Sequence, residues 1–84
     1  MFYVYVLRCR DGSLYTGYTN DLKTRIAKHS CGKASKFTRS RLPVELIAKR
    51  AFASKSEAMK HEIRFKAMTR KDKLSAIRKH FKSA

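Results

Sequence analysis

The chain opens on Phe2–Cys9, an almost unbroken run of aromatic, β-branched and other apolar residues. A run this short and this rich in Val and Tyr predicts a strand buried on both faces. Arg10-Asp11-Gly12 reads as a turn and Ser13–Thr19 as a second strand, so the first two elements form a hairpin. Two registers fit it. An Asp11-Gly12 turn sets Tyr5 opposite Tyr18 and sends Tyr15 to the other face. An Arg10-Asp11-Gly12 loop, with Gly12 left-handed, sets Tyr5 opposite Gly17 and Leu7 opposite Tyr15. Tyr5 and Tyr15 then share a face, because side-chain direction alternates along a strand.

Asn20 or Asp21 caps a helix over residues 22–30, with Leu22 and Ile26 on its buried stripe. Residues 31–41 are basic and rich in Ser, Thr and Gly without a clean period, which reads as a loop. Beyond Pro43, the alternation of Val44, Leu46, Ala48, Arg50 and Phe52 predicts a third strand over residues 44–52. Ser54-Lys55-Ser56-Glu57 is a capping box. It opens a helix to about Met68 with an apolar stripe of Met59, Ile63 and Ala67. Thr69–Asp72 starts another, whose apolar side carries Leu74, Ile77 and Phe81. The order is β-β-α-β-α-α, an α+β fold.

Length and composition narrow the class. With 84 residues the chain has room for a single domain over residues 1–84 and one modest core. Hydrophobic residues make up 43%, too many for a disordered chain. The longest apolar run, Phe2–Leu7, is far too short for a membrane span or a signal-peptide core. Cys9 and Cys31 lack zinc-ligand spacing, so no structural zinc is expected, and reduced thiols point to a cytoplasmic protein. Lys and Arg number 21 against 6 Asp and Glu, a net charge of +15. Residues 1–21 are neutral, whereas 23–41 hold seven basic residues and no acid. A field of one sign draws in polyanions, and nucleic acid is the expected partner rather than a membrane.

A few residues stand out for chemistry. Tyr5 and Tyr15 can bring two hydroxyls to one sheet face. Arg25 and His29 lie on one helix face at i, i+4. Glu62 is the only acid in the middle of its helix, beside apolar neighbours. A carboxylate there is costly unless a cation meets it, either Arg25 or a divalent metal. Plainer roles exist for each: half-buried core tyrosines, a solvated Arg25 and His29, and Glu62 paired with Lys66 or Lys55.

Taken in order, these residues resemble a known family. Tyr3-Val4-Tyr5 followed by Tyr15-Thr16-Gly17 resembles the paired tripeptides of the GIY-YIG nuclease superfamily. Tyr18-Thr19-Asn20-Asp21-Leu22, with Arg25 and His29, is similar to its first helix, and Glu62 followed by Lys66 to a later helix. Gly32–Arg39 is similar to the loop of the small stand-alone bacterial members, the UPF0213 type. Tyr3 stands where the name-giving glycine would be, Val4 and Thr16 replace isoleucines, and no Asn follows Glu62.

The resemblance implies a three-stranded antiparallel sheet flanked by helices and metal-dependent hydrolysis of DNA phosphodiesters. It assigns Tyr5, Tyr15, Arg25, His29 and Glu62 to catalysis, with Glu62 holding one divalent ion, Mg²⁺ or Mn²⁺. Gly17 opposite Tyr5 would leave an open floor for a phosphate. Duplex or branched DNA is the expected substrate, in repair or recombination. Lys23, Lys28, Lys33, Lys36, Arg39, Arg41 and Lys66 are expected to meet its backbone, and Phe37 to stack on an unpaired base. The alternative is a non-catalytic nucleic-acid-binding module on a degenerate nuclease fold.

Overall fold

The structure, a computed structural model, describes residues 1–83. Strands β1 (Phe2–Arg8) and β2 (Leu14–Thr19) pair antiparallel with Tyr5 opposite Gly17 and Leu7 opposite Tyr15. The three-residue loop is therefore the one used. Gly12 sits at φ +85°, and its N–H donates to the Cys9 carbonyl at 2.9 Å. Asp11 Oδ1 accepts from the Ser13 N–H at 3.0 Å and closes the loop.

Asp21, not Asn20, caps α1 (Leu22–Ser30) by accepting from the Thr24 N–H. The helix ends with Gly32 at φ +75°, where Gly32 N–H reaches His29 O and Lys33 N–H reaches Lys28 O. Strand β3 (Glu45–Phe52) pairs antiparallel with β1. It does not keep one alternation throughout. A bulge at Ile47 puts Leu46 opposite Leu7 while Ala48 faces Val6, so Leu46 and Ala48 leave the face they were expected to share.

Helix α3 (Lys55–Lys66) starts from Ser54, whose Oγ accepts from the Glu57 N–H, and α4 (Arg70–His80) starts from Thr69 in the same way. The face α3 buries is turned from the expected one. Ala58 and Phe65 are buried, whereas Ile63 is 65% exposed and Met59 also faces solvent. Phe65 supplies the larger apolar surface, and the helix rotates to bury it.

The sheet has four strands, not three. Lys82–Ser83 forms a short β4 against β3, giving the order β2-β1-β3-β4. Phe81 explains the extra strand: its ring joins the core and lays the next two residues along β3. Val4, Val6, Ala48, Ala58, Phe65 and Phe81 form that core on one face of the sheet. The other face carries Tyr3, Tyr5 and Leu7, covered in part by α1. Among the described residues, no helix is long and apolar enough to cross a membrane.

Candidate active site

Tyr5 lies at the centre of that second face and is only 1% exposed. Its ring crosses directly over Gly17. A Cβ added there would stand 2.5 Å from the Tyr5 hydroxyl and 2.8 Å from Cζ. The expected open floor is therefore filled by Tyr5 itself, and the glycine makes room for the phenol rather than for a phosphate.

The Tyr5 hydroxyl is 2.9 Å from His29 Nε2, and His29 Nδ1 is 2.9 Å from Thr38 Oγ1. Thr38 Oγ1 in turn donates to the Ser35 carbonyl at 3.3 Å. Both His29 and Thr38 are fully buried. The direction of the network follows from its last link. A Thr38 hydroxyl that donates to a carbonyl offers its lone pair to Nδ1–H. In the tautomer that matches this link, His29 carries its proton on Nδ1 and Nε2 accepts from the Tyr5 hydroxyl.

The segment expected to be a loop supplies this network. Residues Lys36–Arg39 form one helical turn, α2, capped by Ser35 Oγ, which accepts from the Phe37 N–H at 3.1 Å. Thr38 was not singled out from sequence. The signal for it is modest: Ser35 is a good cap residue, and a turn opening there points the residue at its third position inward.

Electrostatics keep the network neutral. Burial holds the Tyr5 hydroxyl well above the usual phenol range, with Tyr15 and Glu62 adding to the rise and Arg25 opposing it. Burial lowers His29 below the usual imidazole range, and Arg25 lowers it further. Tyr15 is half-buried, with its ring 6.5 Å from Tyr5 and 5.0 Å from His29. Arg25 also lines a shallow cleft with Tyr18, Asn20 and Lys55. Tyr15 and His29 thus pack against the Tyr5 phenol, and Arg25 and Glu62 lie near enough to act on its charge.

Glu62 is 14% exposed and pairs with Lys66 at 3.7 Å; Arg25 is not its ion-pair partner. No cluster of three or more metal-ligating side chains exists among the described residues. A single carboxylate fits a hard cation that keeps most of its water, and does not fit a tightly held resident metal.

The basic residues divide into two groups. Lys23, Lys28, Lys33, Lys36 and Arg39 are exposed, and Lys66 is half exposed beside Glu62. Arg41 is tied down: Nε meets Asp11 at 3.1 Å, Nη1 donates to the Phe37 carbonyl, and the guanidinium lies 3.9 Å from the Phe37 ring centre. Phe37 is 37% exposed and its ring lies 6.0 Å from the Tyr15 ring, so it both supports Tyr15 and keeps part of its surface open.

Tyr15, Arg25 of α1 and Glu62 of α3 all act on the charge of the one buried Tyr5 hydroxyl. A family model for the GIY-YIG catalytic domain matches residues 1–75, and the chain belongs to that family. Among its relatives are UPF0213 proteins of Streptococcus agalactiae, 55% identical over 93% of this chain and 89% of theirs, and of Bacillus pumilus, 59% identical over 84% and 72%. Two solution structures are similar: a UPF0213 protein of Bacillus halodurans (49% identity, TM-score 0.61, 93% of this chain and 84% of that one) and a protein of E. faecalis (42%, 0.65, 92% and 82%). Nucleases of this family generally use a divalent metal ion.

Proposed function

We propose that the protein is a metal-dependent endonuclease that hydrolyses DNA phosphodiesters, acting on branched or otherwise structured substrates in repair or recombination in the cytoplasm. The observation that carries this reading is the buried Tyr5–His29–Thr38 chain, which with the proton on Nδ1 lets Tyr5 hand its own to a neutral imidazole. A phenol held this far above its usual range is a poor base alone. As a relay it works: an attacking water gives its proton to the Tyr5 oxygen while the Tyr5 proton moves to His29 Nε2. The imidazolium keeps its Nδ1 proton on Thr38. The nascent hydroxide attacks phosphorus, and the leaving oxygen takes a proton from solvent.

Arg25 offers a planar fork to the developing charge on the non-bridging oxygens, with the Tyr15 hydroxyl beside it. Glu62 would hold a divalent ion, which supplies Lewis acidity at the leaving oxygen. A site with one carboxylate leaves the other positions to water and substrate oxygens, so substrate and ion bind together.

Purified protein incubated with linear, nicked and branched DNA, in Mg²⁺, Mn²⁺ or EDTA, tests this. Cleavage in metal that vanishes in EDTA and in Glu62→Gln, with binding retained, is expected. Retained binding with no cleavage under any condition sinks the nuclease reading in favour of a binding module.

A further inference from the structure

The register places a charged row beside Tyr5 that nothing in the network above uses. Gly17 faces Tyr5, Tyr5 faces Lys49, and Lys49 faces Lys82, across all four strands. Directly opposed residues on neighbouring strands share a sheet face, so Lys49 and Lys82 stand on the Tyr5 side. Like charges set opposite each other destabilise a sheet. Neither lysine has an ion-pair partner among the described residues, where the paired acids are Glu45, Asp11 and Glu62. The strands are about 4.8 Å apart, so Lys82 lies roughly 10 Å from the Tyr5 position along this row.

Next to the pair is a cavity of about 360 Å³ lined by Tyr3, Lys49, Arg50, Ala51, His80 and Lys82, with no acid among them. Its volume falls in the range of small-ligand sites, roughly 300–1,000 Å³. Tyr3 projects on the Tyr5 face two residues along β1. Ala51 stands opposite it, and its small side chain leaves the space beside the ring open. Cations and an aromatic face around one hollow suit a nucleotide, with its two flanking phosphates on the two lysines and the base on the ring.

We infer that the Tyr3–Lys49–Lys82 cavity binds an unpaired nucleotide of the DNA strand that passes through the Tyr5 site. The inference rests on nucleic acid being the ligand of this face, but not on cleavage. It also gives the mispaired charges a role: the strand's phosphates relieve the repulsion the sheet carries alone.

The test is a salt titration of single-stranded oligonucleotide binding in EDTA, so that a protein that cuts nothing still reports. Lys49→Gln/Lys82→Gln should lower the log–log salt slope by about 1.4, at roughly 0.7 per phosphate contact on a single strand. Lys71→Gln/Lys79→Gln, which removes equal charge from exposed positions on α4, should change it by less than half as much. Tyr3→Val should weaken binding at every salt concentration by at least about fivefold without altering the slope. Lys82→Glu is the folding control: an ion pair with Lys49 should raise the melting midpoint while binding falls. A slope that Lys49→Gln/Lys82→Gln leaves unchanged, or that falls equally in the α4 variant, overturns the inference. A Tyr3→Val variant that binds as tightly as the parent also overturns it.

Discussion

Gly17→Ala is the most informative single change in this fold, because the structure states which atoms it meets. The added Cβ would lie 2.5 Å from the Tyr5 hydroxyl, 2.8 Å from Cζ and 3.2 Å from Cε1. Carbon atoms are comfortable at about 3.5–4.0 Å, so the ring must retreat by roughly 1 Å. The ring packs edge-on against fully buried His29, with centres 5.6 Å apart, and a shift of that size disrupts the 2.9 Å bond to Nε2. Overpacking costs about 1–3 kcal/mol and an unsatisfied buried partner about 1–3 kcal/mol. Together these come to about 2–6 kcal/mol, a large share of a small domain's typical 5–15 kcal/mol. Urea unfolding followed by circular dichroism measures it, provided the m-value is unchanged. Tyr5→Phe removes the atom nearest the clash and the hydrogen bond together. Gly17→Ala should then cost about 1–2 kcal/mol less in the Tyr5→Phe background than in the parent. A coupling below about 0.5 kcal/mol would refute the account of why glycine stands here.

Arg25→Ala should reduce single-turnover cleavage by about 10²–10³ with little loss of binding, and Arg25→Lys should recover little of it. Equal rates for Arg25→Ala and Lys28→Ala would remove Arg25 from the mechanism. Thr38→Val leaves His29 Nδ1–H without its acceptor and should lower both the cleavage rate and stability, by about 1–3 kcal/mol for the latter, whereas Thr38→Ser should retain most of each. An unimpaired Thr38→Val would show that Thr38 does not set the tautomer. Stability should fall on acidification: His29 and His61 both lie below the usual imidazole range in the folded protein, so the unfolded chain binds more protons. That contribution is complete above about pH 6.5 and is lost as pH falls towards the depressed values, by at most about 1.4 kcal/mol per pH unit per histidine. His61→Leu should flatten the denaturation profile between pH 7 and 5, and a profile of unchanged slope would exclude His61 as a source.

The hairpin and the helix caps were legible because they depend on neighbouring residues. Asp11-Gly12 writes the loop, and Asp21, Ser54 and Thr69 each find an N–H three positions on. Counting residues left two hairpin registers, and only the family likeness favoured the one with Gly17 opposite Tyr5. The misses share a cause, since each depends on a distant partner. Lys82–Ser83 has no strand pattern and pairs only because Phe81 anchors in the core. The buried face of α3 follows Phe65 rather than the more regular Met59–Ile63 stripe. Thr38 became visible once Ser35 was seen to cap a turn, and its role only once His29 was seen to be buried. His61 gave no signal at all, being one more polar residue on a basic helix.

His29 and His61 show how this fold separates chemistry from packing. Both are drawn below the usual imidazole range, and burial is the larger cause for each. Their surroundings differ in what protonation would meet. His29 has a hydroxyl on each ring nitrogen at 2.9 Å, so both nitrogens have a hydrogen-bond partner. His61 lies among the rings of Phe52, Phe65 and Phe81, with Nε2 3.3 Å from the Arg50 guanidinium and a buried Nδ1 that has no partner. Arg50, Arg64 and His80 all oppose charge on it, from β3, α3 and α4 in turn. A proton arriving at His61 adds repulsion and gains no acceptor. A proton arriving at His29 meets a hydroxyl oxygen beside each ring nitrogen. The low basicity that destabilises the helix face of the sheet in acid is, on the other face, what keeps an imidazole neutral and ready beside a phenol.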